Sequence, residues 1–189
     1  MNQSLWIPYP SCPVGVQFDS VRERHSHQLL MRHDSDVLEM AQSIEGAGDE
    51  AWPDSPVFQQ VEPCELGEGR QGIVAVGLGG TSHWSMAIDG DLAVGLKFDV
   101  ACRVSESPSF LGSSYRMRQP INTINDSRVE WNSSVNSGGR VALELLQGSL
   151  TVTENNRRLV ILADPVATGF PATIRWGYRL FFVGNLASA

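Results

Sequence analysis

Residues 83–91, HWSMAIDGD, and residues 96–104, LKFDVACRV, decide the fold class of this chain. In both segments apolar side chains alternate with polar or small ones. A period of two is typical of a β-strand that buries one face. Asp89-Gly90 predicts a tight turn between the segments, because glycine adopts positive φ angles without a steric penalty. The two segments therefore predict a β-hairpin.

The hairpin pattern recurs further along the chain. Without a gap, Trp84 aligns with Trp131 and Leu96 aligns with Leu143. Regular spacing of this kind indicates an internal duplication, although strands also resemble one another by pattern alone. Both interpretations stay open. The alignment favours a strand over a short helix for residues 141–146.

Short apolar runs separated by turn residues continue along the rest of the chain. They predict an all-β fold, a mainly antiparallel two-sheet sandwich or barrel of about 10–12 strands. Residues 1–189 are expected to form a single β domain. Residues 1–20 contain three prolines and are expected to form an extended N-terminal arm across its surface. Residues 36–45 fit a helix or a strand, and the all-β context favours the strand.

The same alternation selects a set of residues that are predicted to be mostly buried. Their side chains lie on the apolar faces of the expected strands. They are Trp84, Ile88, Leu96, Phe98, Val100, Cys102, Val104, Val141, Leu143, Leu145, Val160 and Leu162.

Composition narrows the range of partners. The formal net charge is −7 and basic residues are scattered, which argues against nucleic acid and membranes. Cys12, Cys64 and Cys102 lack the spacing of a zinc cluster or a redox pair. Neither a signal peptide nor a transmembrane segment is recognisable in the sequence, so we expect a cytoplasmic protein. No cofactor and no metal are predicted.

Two histidines lie two residues apart on an expected strand. His25 and His27 have a spacing at which two imidazoles can chelate one metal ion. The adjacent Arg22, Arg24 and Arg32 would repel a cation, so a solvated strand face is the favoured interpretation.

A candidate ligand site begins at the glycine-rich run of residues 77–80. Glycine lets a ligand approach the backbone closely, and the imidazole of His83 both donates and accepts hydrogen bonds. The loop of residues 105–114 is long enough to fold over the end of the sheet. We expect a ligand site to include His83, Trp84 and Ser85. Glycines that only form turns are the alternative interpretation.

Trp176 and Tyr178 form a second candidate site, because they lie two apart on one strand and share a face. Exposed aromatic rings of this kind would make a platform for a sugar ring. Aromatic residues on strands also form core, since they bury a large area. Burial in the core is the alternative that the sequence leaves open.

No motif in the chain amounts to a catalytic signature. The function predicted first is therefore a non-catalytic ligand-binding or interaction module, with a small molecule, a carbohydrate or a protein as partner. The first alternative is a hydrolase or metal-dependent enzyme that uses His25, His27 or His83. The second alternative is a structural subunit that assembles through its sheet edges. The sequence predicts neither a specific ligand nor an oligomeric state.

Overall fold

The structure of the chain is a computed structural model. It describes residues 3–7, 14–33, 35–47, 50–67, 69–91, 95–132, 140–164 and 169–183. These residues form strands, turns and loops, and none of them is helical. The all-β prediction is confirmed.

Fifteen strands form within the described residues, more than the ten to twelve expected. We number them in chain order. Their bounds are β1 Gln3–Ile7, β2 Val14–Val21, β3 Arg24–His33, β4 Asp36–Ser43, β5 Gln60–Glu65, β6 Gln71–Gly79, β7 Ser82–Asp91, β8 Gly95–Val104, β9 Gly112–Met117, β10 Asn122–Asn125, β11 Arg128–Asn132, β12 Arg140–Gln147, β13 Ser149–Thr153, β14 Arg158–Leu162 and β15 Ala172–Val183.

The strands form two antiparallel sheets that pack face to face. The seven-stranded sheet has the order β1-β2-β3-β4-β9-β14-β13. The eight-stranded sheet has the order β10-β11-β12-β15-β8-β7-β6-β5. Each sheet ends in two edge strands, so the fold is a sandwich rather than a closed barrel. The expected strand at residues 36–45 is confirmed as β4.

The inner faces of the two sheets form one apolar core, which contains most of the residues predicted to be buried. Leu145, Val160 and Leu162 are the exceptions, since each is only partly buried. In β14 the fully buried side chains are Leu159 and Ile161 instead, so the predicted phase was wrong by one residue. The reason is that β14 is apolar on both faces, so its sequence shows no alternation that distinguishes inward from outward residues. Leu145 borders an irregularity in the ladder between β12 and β15. The residues whose predicted burial is confirmed are Trp84, Ile88, Leu96, Phe98, Val100, Cys102, Val104, Val141 and Leu143.

The tight turn expected at Asp89-Gly90 is wrong. Both residues belong to β7, where Asp89 pairs with Lys97 of β8. The connection falls at residues 92–94, which lie outside the described residues. Asp89 is paired on both sides, because it also lies opposite Gly72 of β6. Its Oδ2 accepts a hydrogen bond from Nη1 of Arg70 at 2.8 Å. The positive φ angle belongs to Gly95, at +90°.

The N-terminal region does not form an arm across the surface over its described residues. Residues 14–20 belong to β2, which lies between β1 and β3. Val14, Val16 and Phe18 are fully buried. Their alternation begins directly after Pro13 in the sequence, and it marks residues 14–20 as a strand with one buried face. The three prolines themselves lie in residues 8–13, outside the described residues.

The aligned hairpins do not share one register. Trp84 pairs with Cys102, and Trp131 pairs with Val141. In the ungapped alignment, however, Cys102 corresponds to Ser149 and not to Val141. The strand pairing therefore does not reproduce the repeat that the sequence pattern suggested.

Phe98 tests the register of the core. It is fully buried and stacks on Tyr178 with ring centroids 4.7 Å apart. We expect Phe98→Ala to lower the free energy of unfolding by about 3–5 kcal/mol, because it leaves a cavity between the sheets. Urea denaturation measures the loss. The control is the exposed neighbour variant Lys97→Ala, which should stay within about 0.5 kcal/mol of wild type. A loss below about 1 kcal/mol for Phe98→Ala would contradict the assigned packing.

Candidate functional site

A groove of about 580 Å³ lies on the outer face of the eight-stranded sheet. It crosses β6, β7 and β8 and reaches the beginning of β15. The side chains that give it its chemistry are Val76, Leu78, His83, Ser85, Arg103 and Thr173.

Strand register brings these side chains together. Leu78 of β6 pairs with His83 of β7. Arg103 of β8 pairs with His83 on one side and with Thr173 of β15 on the other. Directly paired residues point to the same face of a sheet, so the four side chains form one row across four strands. Val76 and Ser85 begin the next row.

The β6 wall of the groove is apolar. Val76 and Leu78, which line it, are 39% and 54% exposed, and Val74, the next outward residue of β6 beside the groove, is 40% exposed. The outward face of an antiparallel sheet is usually polar when it meets water. Three consecutive outward positions of β6 break this rule, so the strand presents an apolar stripe beside the polar side chains of β7 and β8.

The opposite wall of the groove is cationic. Within the described part of the chain, Arg103 forms no ion pair and His83 forms no side-chain hydrogen bond. The next arginine on this face is partly neutralised, because Arg175 Nη1 lies 3.4 Å from Oδ1 of Asp99. Arg103 therefore supplies the uncompensated positive charge of the groove.

Gln59 caps the edge of the groove. Its side-chain Nε2 donates to the backbone oxygen of Leu78 at 2.9 Å, and its Oε1 accepts from the backbone nitrogen of Leu78 at 2.7 Å. Strand β5 begins only at Gln60, so the amide of Gln59 takes the place of a neighbouring strand. This cap holds Leu78 in extended conformation with its side chain outward.

The five site residues expected from the sequence lie in two different environments, the exposed groove and the buried core. His83 and Ser85 are exposed and line the groove. Trp84, which also borders it, is 2% exposed and packs edge-on against Trp176, with ring centroids 6.2 Å apart. Trp176 and Tyr178 are fully buried between the sheets, as the core interpretation of these aromatics requires.

Tyr178 belongs to a group of hydrogen-bonded side chains inside the core. A hydrogen bond of 2.6 Å joins Nε2 of His27 to the hydroxyl of Tyr115. The hydroxyl of Tyr115 is in turn hydrogen-bonded to that of Tyr178. Nearby, Nε1 of Trp176 donates to Oγ of Ser113 at 2.9 Å. These contacts join β3 and β9 of one sheet to β15 of the other.

Burial keeps this polar group uncharged. It lowers the pKa of His27 to about 3 and raises the pKa values of Tyr115 and Tyr178 above their usual range. The solvated strand face expected around His25 and His27 is therefore wrong for His27. The reason is its pairing with Phe18, whose ring stacks on the imidazole. Among the described residues, no three or more His, Cys, Asp or Glu side chains are grouped to hold a metal ion.

A titratable carboxyl lies at the end of the polar group. The backbone nitrogen of His27 donates to Oγ of Ser43 at 2.8 Å, and this hydroxyl donates to Oε1 of Glu45 at 2.5 Å. Burial raises the pKa of Glu45 to about 7, against the opposing effects of Ser43 and of the positive charge of Arg24.

The sequence analysis missed Val76, Leu78 and Arg103. The exposure of Val76 and Arg103 follows from the inward positions of their neighbours Ala75 and Cys102, since neighbours along a strand point to opposite faces. Leu78 lies two residues after Val76 and therefore shares its face. The alternation of inward and outward residues along β6, β7 and β8 could therefore have identified these exposed positions. Nothing in the sequence revealed the register that places the three side chains beside one another.

Comparison of the chain with protein-family models, curated proteins and solved structures finds no match. The part of the chain that the structure describes contains no helix with the length and apolarity needed to cross a bilayer. The groove residues themselves are therefore the basis for a functional interpretation.

Glu45 predicts a pH-dependent contribution to stability. Because its folded pKa of about 7 exceeds the unfolded value of 4.5, its ionisation destabilises the fold as pH rises between these values. Glu45→Gln should therefore gain stability relative to wild type across this window and keep a constant difference above it. Urea denaturation at several pH values measures the difference.

The comparison is made between variant and wild type at each pH, because His27 has the opposite effect. Its lowered pKa makes wild type less stable as pH falls from 6.5 towards about 3. The control is Glu62→Gln, which changes an exposed glutamate on β5 and should stay within about 0.5 kcal/mol of wild type. A difference for Glu45→Gln that does not grow with pH would contradict the burial assigned to this carboxyl.

Proposed function

We propose that this protein is a non-catalytic binding module. Its ligand would have an apolar body and one anionic group, and it would occupy the groove on the eight-stranded sheet. The observation that carries the proposal is the row in which exposed Leu78 and Arg103, which has no ion-pair partner among the described residues, flank His83. An apolar side chain and a cation lie there in one row, with the single strand β7 between them.

The apolar stripe supports the first half of this ligand class. Val74, Val76 and Leu78 are held by a rigid sheet and remain exposed to water. Covering roughly 100 Å² of such surface contributes about 2.5 kcal/mol to binding. Pockets for small molecules typically combine apolar surface of this kind with a few polar groups that fix the orientation of the ligand.

Arg103 supports the second half. A guanidinium binds a carboxylate or a sulfonate through two parallel hydrogen bonds, which gives both affinity and orientation. The hydroxyls of Ser85 and Thr173 and the imidazole of His83 add hydrogen-bonding groups around it. The chain as a whole has a net charge of −7, so it repels highly charged anions at long range. A ligand with a single negative charge fits this balance best.

We also propose a cytoplasmic location. Cys64 and Cys102, the cysteines within the described residues, are free thiols. Free thiols are typical of reducing compartments. Cys12 lies outside the described residues.

A fluorescent probe tests the ligand class directly. 8-Anilinonaphthalene-1-sulfonate combines a fused aromatic body with one sulfonate, and its emission rises when it leaves water. We expect saturable binding to wild type. Arg103→Glu should weaken it about tenfold or more, because a charge-assisted hydrogen bond contributes roughly 1.5–3 kcal/mol. Leu78→Ser should also weaken it, through lost apolar contact.

Two variants outside the groove serve as matched controls. Arg116→Glu changes an exposed arginine on β9, and Ile124→Ser changes an exposed apolar residue on β10. Both should bind the probe as wild type does. Circular dichroism in the near ultraviolet checks that each variant retains its packing. Binding that Arg103→Glu and Leu78→Ser leave unchanged, or no saturable binding at all, would refute the proposal.

A further inference from the structure

The two sheets end in four edge strands, β1, β13, β10 and β5. A strand edge offers unpaired backbone groups to which another strand can add. Proteins protect such edges with proline, charged side chains, short strands, bulges or a covering element. The four edges of this sandwich differ in this protection.

Three edges carry a protecting feature. β5 contains Pro63 between the charged Glu62 and Glu65. β10 has four residues and a register shift between Thr123 and Asn125. β1 lies close to strands β5, β6 and β7 of the opposite sheet.

Over the residues that the structure describes, β13 shows no proline, charged side chain, bulge or covering strand. Its sequence, SLTVT, contains neither a charge nor a proline. It pairs with β14 over five residues without a bulge. Within the described part of the chain, β14 is the strand with which β13 pairs, and no other strand covers its outer edge.

The residue pattern of β13 is the same in both directions. Ser149, Thr151 and Thr153 are exposed, while Leu150 and Val152 are half-buried against the core. We propose that two copies of this chain pair through β13, antiparallel, with a two-fold axis at Thr151. In this register Thr151 meets Thr151, each Leu150 meets a Val152, and each Ser149 meets a Thr153.

Every contact across this axis joins residues of like character. Paired threonine and serine hydroxyls and paired apolar side chains stabilise antiparallel strands. The partner strand would complete the burial of Leu150 and Val152. No charged side chain of β13 has to approach its symmetry mate, although the whole chain is acidic.

The geometry also sets the size and strength of the assembly. A two-fold contact uses the same surface on both copies, so it closes at two chains. Five residue pairs bury little area, so the dimer is reversible and depends on protein concentration. The contact lies on the seven-stranded sheet and leaves the groove on the other sheet unoccupied, so it stands independently of the proposed ligand.

Sedimentation equilibrium over a wide range of concentrations tests the dimer. The weight-average mass should rise from the monomer value of 20.7 kDa towards twice that value. Thr151→Lys places two ammonium groups opposite each other at the axis and should raise the dissociation constant about tenfold or more. Since Thr151 is exposed, the variant monomer should keep its fold, which circular dichroism checks. The control Thr123→Lys, on edge strand β10, should leave dimerisation unchanged.

Disulfide trapping tests the register. Residues directly opposite in an antiparallel pair have Cβ atoms close to the separation that a disulfide requires. Under mild oxidation Thr151→Cys should form a covalent dimer faster than Thr153→Cys and faster than wild type, which has its native cysteines. A monomer at all concentrations, a dimer insensitive to Thr151→Lys, or faster trapping at residue 153 would each overturn the proposal.

Discussion

The hydrogen bond between the hydroxyls of Tyr115 and Tyr178 joins the two sheets within the core of the sandwich. Both residues are fully buried, and a buried hydroxyl without a partner costs about 1–3 kcal/mol. The hydroxyls partner each other, that of Tyr115 also bonds to His27, and Trp176 bonds to Ser113 beside them. Apolar packing alone tolerates some sliding of one sheet over the other. Directional bonds at this point allow one placement, and the outer surfaces take their positions from it.

The groove lies on the outer face of strands whose inner face packs in this core. Trp84, Met86 and Ile88 of β7 point into the core, so His83 and Ser85 point outward. A slip of one residue in the pairing of β7 would exchange these two sets and bury the imidazole. The energy that fixes the groove residues thus comes from buried aromatic and aliphatic neighbours. This is why binding residues on such a scaffold can be polar and still hold one position.

The sequence predicted the structure best in strands whose apolar face differs clearly from their polar face. β7 and β8 alternate clearly, and their inward residues were predicted correctly. β14 is apolar on both faces, so its phase was misread, and Leu159 and Ile161 are buried in place of their neighbours. Asp89-Gly90 has the composition of a turn, but both residues pair with β8 and continue the strand. Arg103 could not be assigned to a site beforehand, because its nearness to Leu78 depends on a register that turn lengths and pairing decide.

The cap at Gln59 has a consequence for backbone dynamics. The amide proton of Leu78 is bonded to a side chain rather than to a strand, in a solvent-exposed position. Rotation of that side chain is enough to free the proton, whereas its neighbours in β6 need the ladder to open. Deuterium uptake at this amide therefore reports local rotation at the groove wall. A molecule seated on Leu78 would slow that uptake even where the global unfolding equilibrium stays the same.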